Sequence, residues 1–356
     1  MTRLTHLSVT SMALVAALAA VPSCGGAQKP PAAPSGEFPP DGKLSNLKPG
    51  ELKKDGENPF TGAQWYVAPY GNALTRQRMA ERAGNAEEAA LMAKIASHGG
   101  ADWVGDWTAY VGDWVRRQTT VITKAGALPL YVAYNLPHRD CGAYSAGGVE
   151  TGADYRQWIT DFARGINDRR AVVVLEPDGL GLLDKCLSPE QQEERLELFR
   201  FAVDTFNQLP ATYVYIDAGH SGWMTPEVAA ERLQRAGVAD AAGFALNTSN
   251  YRATDELLAY GKEISAQIGG KHFVIDTSRN GNGPPTVDDP SSEQSWCNPP
   301  GRALGSPPTT DTADPSCDAY LWLKKPGESD GACNGGPKAG EWWQEQALEL
   351  ARNAKF

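Results

Sequence analysis

The feature that most constrains this chain is a repeated alternation of helix-like and strand-like segments. Apolar residues at helical spacing mark 75–97 and 109–124, and the apolar run Ala127–Leu136 follows. Helical segments at 154–168, 189–207, 225–236 and 254–268 then alternate with short apolar runs: Ala171–Leu175, Thr212–Asp217, Gly243–Leu246 and His272–Asp276. After a Pro/Gly-rich stretch at 279–316 come a last strand, Ala319–Leu323, and a last helix, 341–354. Ala171–Leu175 is Val-rich without polar alternation, as in a strand buried on both faces. Strands joined through helices imply right-handed crossovers and a parallel sheet. The length of 356 residues fits one closed or nearly closed β/α barrel, a fold that exceeds about 250 residues as one domain.

In such a fold chemistry collects at the carboxyl ends of the strands. The strand-like runs here lead into Arg139-Asp140, Glu176-Pro177-Asp178, Asp217 through His220, Asn247 through Asn250, Asp276 through Arg279, and Lys324 through Asp330. One such residue could be a turn or helix cap; six polar clusters in phase point to a site. The formal charge of −10, with no long Lys/Arg run, excludes a nucleic-acid footprint. Five His without ligand spacing and no Cys-x-x-Cys argue against a metal centre, and no cofactor is implied. Ala143-Tyr144-Ser145-Ala146-Gly147 resembles a nucleophile elbow, but Ser145 stands well beyond the strand end at Leu136 and is followed by Gly147-Gly148 rather than a helix. A serine esterase using Ser145 is therefore the weaker alternative. Carboxylates remain, and glycosidic hydrolysis needs one acid to protonate the leaving oxygen and commonly a second carboxylate. Ten Trp can supply flat faces for pyranose rings.

The amino terminus reads as an export address. Residues 1–24 have Arg3 in a short basic start and an apolar run Met12–Val21, too short to span a bilayer. The run ends Ser23-Cys24-Gly25, similar to a lipoprotein signal with Cys24 as the lipidated residue; ordinary cleavage and free secretion is the other outcome. Residues 25–57, rich in Pro, Gly, Lys and Ala, read as a tether, which leaves 58–356 as the folded domain. Export permits disulfides, and the spacing of the remaining five Cys does not choose partners.

Two segments resemble the signature motifs of glycoside hydrolase family 6, the cellulases: Val132–Gly148 (VAYNLPHRDCGAYSAGG) and Val173–Leu180 (VVLEPDGL). Collinear matches follow at Asp217–Trp223, Asn247–Tyr251, Ile275–Pro284, Trp296–Asn298 and Leu323–Gly331. The likeness is strongest to compact bacterial endoglucanases. It implies a distorted β/α barrel with a mostly parallel sheet and fewer than eight strands, acting as an inverting endo-β-1,4-glucanase. Asp178 falls on the family's proton donor, Asp140 on the carboxylate that raises its pKa, and Asp330 on the proposed base. Tyr66 matches a tyrosine beside the cleavage point. Trp103, Trp223 and Trp296 match sugar-stacking residues, and His220, Asn250, Lys324 and Glu328 match polar sugar contacts. The resemblance pairs Cys141 with Cys186 and Cys297 with Cys333, leaving Cys317 free. A monomer acting on β-glucan is expected. Short disulfide-bounded segments imply an open cleft, although Val287–Ser295 could narrow it toward cellobiohydrolase-type exo action. A glycan-binding lipoprotein without activity is a further alternative.

Overall fold

A computed structural model describes residues 58–286 and 293–356. The export signal, Cys24, the tether and residues 287–292 lie outside the described residues. Seven strands form one sheet in sequence order: β1 (Asp102–Gly105), β2 (Leu130–Tyr134), β3 (Ala171–Leu175), β4 (Thr212–Asp217), β5 (Gly243–Leu246), β6 (His272–Asp276) and β7 (Cys317–Leu321). Every neighbouring pair is parallel. The helices are α1 (Asn72–Arg82), α2 (Ala86–Ala96), α3 (Val111–Lys124), α4 (Gly152–Ile166), α5 (Pro189–Asn207), α6 (Pro226–Arg235), α7 (Thr254–Gln267), α8 (Glu293–Trp296) and α9 (Gln344–Asn353). The sheet curls into an incomplete barrel. At its seam the Ala101 N–H donates to the Trp322 carbonyl at 3.0 Å, and the Trp103 indole N–H donates to the Leu323 carbonyl at 2.8 Å.

Side-chain alternation divides the core in two. Val132, Tyr134, Val172, Val174, Tyr213, Tyr215, Ala245, Val274, Ala319 and Leu321 fill the barrel interior. Their alternates, among them Tyr131, Ala133, Val173, Leu175, Val214, Ile216, Phe244, Phe273 and Ile275, pack with the helices outside. Several helices start on local capping chemistry. Ser188 and Gln191 form a reciprocal capping box before α5, with Pro189 at its first turn, and Thr225 caps α6.

Several elements differ from the expectation, among them α8, which lies within the stretch expected to carry no element, and α4, which begins and ends two residues earlier than expected. The helix expected over 75–97 is two, because Gly84 takes a left-handed φ of +73° and the Asn85 side chain caps α2 by accepting from the Glu88 N–H. Strand β1 was not anticipated: four residues, Asp-Trp-Val-Gly, carry too little apolar pattern to register. Strand β7 begins and ends two residues earlier than expected.

Both disulfides implied by the resemblance are formed, Cys141–Cys186 and Cys297–Cys333, with sequence separations of 45 and 36. On the chain-entropy account each constrains the unfolded chain by about 4 kcal/mol. The first ties the segment after β2 to the segment after β3; the second ties the end of α8 to the loop that follows Asp330. Cys317 is free and buried.

Candidate active site

Continuing the inward phase of each strand places a polar residue at the barrel's carboxyl mouth. Tyr134 ends β2 facing in, and Asp217 and Asp276 end β4 and β6 in phase with Tyr215 and Val274. Asp178 comes two residues beyond Glu176; both have left-handed φ, +52° for Glu176 and +67° for Asp178. That uncommon backbone is fixed from both sides. The Glu176 carboxylate, buried, accepts from the Asn135 N–H (2.8 Å), the Leu136 N–H (3.1 Å) and the Tyr155 hydroxyl (2.9 Å). The Asp178 N–H donates to Asp217 Oδ1 at 3.2 Å, which also accepts from the Gly219 N–H at 3.0 Å.

The electrostatics follow from this crowding. Burial pushes the Asp178 carboxyl well above the usual range; the charges of Asp217, Asp140 and Asp330 push it further, against a hydrogen bond from the Tyr134 hydroxyl. Asp217, raised to about 6 by burial with Asp276 adding repulsion, is the larger charged contributor to Asp178, ahead of Asp140. Asp140 is itself raised by burial, against the Ser145 N–H (2.7 Å) and Arg139. Glu176 rises to about 7 by burial.

Asp330 behaves oppositely. Burial would raise its pKa, but Arg279 and Lys324 outweigh that and lower it. Arg279, fully buried, lies 2.9 Å from its carboxylate and Lys324 Nζ 3.6 Å away. The Tyr251 hydroxyl (2.8 Å), the Asn298 N–H (3.0 Å) and the Ser249 hydroxyl (3.3 Å) also donate to it. Asp330 is therefore an ionised carboxylate locked in place.

The other expected residues divide into two groups. Trp103 stands inside the barrel, edge-on to Tyr134 at 5.3 Å and with Lys324 Nζ 5.9 Å over its ring. Trp223 lies 5.8 Å from the His220 ring, and Asn250 hydrogen-bonds His220, whose pKa burial and Arg252 depress to about 4, leaving it neutral near pH 7. Trp296, at the end of α8, faces Tyr144 at 6.2 Å. Tyr66 and Glu328, by contrast, line a cavity of ≈ 240 Å³ at the seam with Asp102, Lys325 and Trp342. Tyr134, the last inward residue of β2, places its hydroxyl on the Asp178 carboxyl. Ser145 offers no elbow: it sits between a short 3-10 turn, Asp140–Gly142, and α4, and its backbone serves Asp140 and Arg139.

Sequence reasoning gave no role to Asp217 or Tyr134, although both stood in quoted motifs. The period-2 phase from Tyr213 and from Val132 was the available signal for their inward direction. Trp107, just past β1, was also passed over; its indole lies over the Arg139 guanidinium, 5.1 Å to the centroid, and is 55% exposed.

Residues 60–354 match the family model for Glycosyl hydrolases family 6. The chain belongs to glycosyl hydrolase family 6. Among family relatives it is similar to Endoglucanase A from Cellulomonas fimi, 45% identical over 293 residues, which cover 81% of this chain and 61% of that one. It is likewise similar to Endoglucanase 1 from Streptomyces halstedii, 40% identical over 302 residues, covering 82% and 90%. This chain thus spans about three fifths of the first relative's length and nine tenths of the second's. A solved family 6 structure, the Mycobacterium tuberculosis endoglucanase in complex with methyl-cellobiosyl-4-deoxy-4-thio-β-D-cellobioside, shares 47% identity and a TM-score of 0.77, covering 83% of this chain and 99% of that one. The incomplete barrel of seven parallel strands is the distorted β/α barrel with fewer than eight strands that the resemblance implied.

Proposed function

We propose that this family 6 protein is an inverting endo-β-1,4-glucanase with Asp178 as its general acid. The observation that carries the reading is the position of Asp178, buried and among three other carboxyl groups, Asp217, Asp140 and Asp330, where burial first and their charges second push its pKa well above that of an ordinary Asp, near 4. A carboxylic acid that keeps its proton near neutrality can deliver it to a departing glycosidic oxygen. Tyr134, with its hydroxyl on the Asp178 carboxyl, positions that proton. The endoglucanase names of the relatives support internal cleavage of β-1,4-glucan.

Inversion requires water to attack the far face of the sugar with a carboxylate taking its proton. Asp330 was the expected base, but two cations and three further donors lower its proton affinity. Its fixed negative charge better suits holding the positive charge that develops on the sugar ring and keeping Asp178 protonated. Asp140, half-buried and raised in pKa, is the better proton acceptor through water. The sugar contacts assigned to Trp103, Trp223, Trp296, His220, Asn250 and Lys324 belong to the same proposal; Tyr66 and Glu328 would act only on sugar reaching the seam. Export, with Cys24 as a lipid anchor, fits two disulfides that persist in an oxidising compartment.

Incubating the purified protein with carboxymethyl-cellulose and cello-oligosaccharides tests the reading. The expected results are a rapid fall in viscosity at low sugar release and the α-anomer as first-formed product by NMR. Cellobiose release at constant viscosity would replace endo with exo action, and a β-anomer would exclude inversion.

A further inference from the structure

We propose that Trp107 is an additional stacking platform for a glucosyl ring at the barrel mouth, next to the carboxylate cluster. The inference rests on the β-1,4-glucanase reading and adds a specificity-determining residue to it. It begins with a glycine. Gly105, the last residue of β1, stands in the inward phase set by Trp103, and a Cβ there would come within 2.5 and 2.6 Å of two Trp107 ring carbons. Its φ is not in the left-handed region, so close approach of the indole, along with the Tyr134 carbonyl at 2.7 Å, is what the missing side chain makes room for. The ring consequently lies over the inner lip of the barrel rather than out on the flank.

Its placement is fixed from a second direction. The Arg139 guanidinium beside the indole is itself immobilised: Nε donates to the Ser145 carbonyl (2.8 Å), Nη1 to Asp106 Oδ1 (2.9 Å) and the Tyr134 carbonyl (2.8 Å), and Nη2 to the Ala146 carbonyl (3.2 Å). Arg139 is buried. A cation–π contact to a buried, four-bonded Arg holds the ring in one orientation, yet more than half of its surface faces solvent. An ordered, exposed aromatic face can take a flat ligand at little entropic cost. The same guanidinium lies 4.7 Å from the Tyr134 ring, and Tyr134 bonds the Asp178 carboxyl, so the platform is two side chains removed from the acid. Trp223, an expected sugar platform, is seated in the same way: a Cβ on Gly181 would meet its ring at 2.7 Å. The ligand this arrangement fits is a glucopyranose, whose axial C–H bonds present an apolar face to an indole.

The test compares wild type, Trp107→Ala and Trp107→Phe on cello-oligosaccharides of increasing length, with binding measured by calorimetry in an Asp178→Asn background. The expected result is roughly tenfold weaker binding for Trp107→Ala, the scale of truncating an interface Trp, with a matching rise in KM for the longer oligosaccharides. The loss should fall on KM rather than kcat, and Trp107→Phe should recover most of it. Unchanged binding and KM in an active protein would overturn the proposal alone. So would a fall in kcat with a shifted pH profile at unchanged affinity, which would mean that the ring only props Arg139 and the Asp140 segment. If wild type neither binds nor shortens any β-glucan, the glucanase reading fails and the platform falls with it.

Discussion

Replacing Asp178 with Asn is expected to slow hydrolysis of a natural β-1,4-glucan by about 10²–10⁴-fold, the usual worth of general acid catalysis. The same variant should lose far less on an aryl cellobioside whose phenol leaves without protonation. The contrast follows from what Asn lacks. It matches the shape of Asp and can accept from the Tyr134 hydroxyl, but it cannot give a proton to the leaving oxygen. Thermal stability should not fall, because the substitution removes a carboxyl that burial and three like-charged neighbours already disfavour in its ionised form. Equal losses on both substrates would remove Asp178 from the acid role.

A second large effect concerns Asp330, and it is an effect on folding. Asp330→Asn leaves Arg279 buried without its counter-charge, since Arg279 is fully buried and 2.9 Å from the carboxylate. Breaking one side of a buried ion pair costs about 3–5 kcal/mol, a shift of the thermal midpoint on the order of 5–8 °C for a domain of about 300 residues. Removing both charges, as in Asp330→Asn with Arg279→Gln, should cost less than the sum of the two single changes. A wild-type midpoint for Asp330→Asn would show that the pair is not holding the loop. The same pair shapes the pH dependence. Asp330 has a lowered folded pKa, so its contribution is present above about pH 4 and is lost as pH falls through that lowered value. Asp217 and Glu176 have folded pKa values raised to about 6 and about 7, so their contribution is full below about pH 4 and is lost as pH rises through those values. On these groups the midpoint should therefore be highest near pH 4 and fall as pH rises toward 7.

The barrel was legible because its strands are unambiguous. Ala-Val-Val-Val-Leu at 171–175 has no polar face, and the buried strand it implies is the one observed. The mouth was legible for the same reason, since polar residues begin where apolar runs stop. Strand β1 was not, because four residues with an Asp, a Trp and a Gly carry no periodicity. Nor was the electrostatic character of the site. Asp178, Asp217 and Asp330 look alike as letters after a strand, yet burial and neighbouring carboxylates push the first well above the usual carboxyl range, the second accepts a hydrogen bond from the backbone of the first, and the third is paired with a buried arginine. What separates them is their neighbours, and Arg279 is 51 residues from Asp330 in sequence. Tyr134 was missed for a different reason: it lay inside a quoted motif, and only the inward phase of β2 marks it as the residue that reaches Asp178.

The most direct test of the central claim is the protonation state of Asp178 itself. In protein labelled with ¹³C at the aspartate carboxyl carbons, the spectrum followed by NMR from pH 4 to pH 9 should contain one carboxyl, absent in Asp178→Asn, that remains protonated after ordinary aspartates near pH 4 have ionised. In Asp217→Asn, which keeps the acceptor for the Asp178 N–H but removes a charge, that same resonance should titrate at lower pH. Titration of Asp178 together with the ordinary aspartates, in wild type and variant alike, would contradict the account.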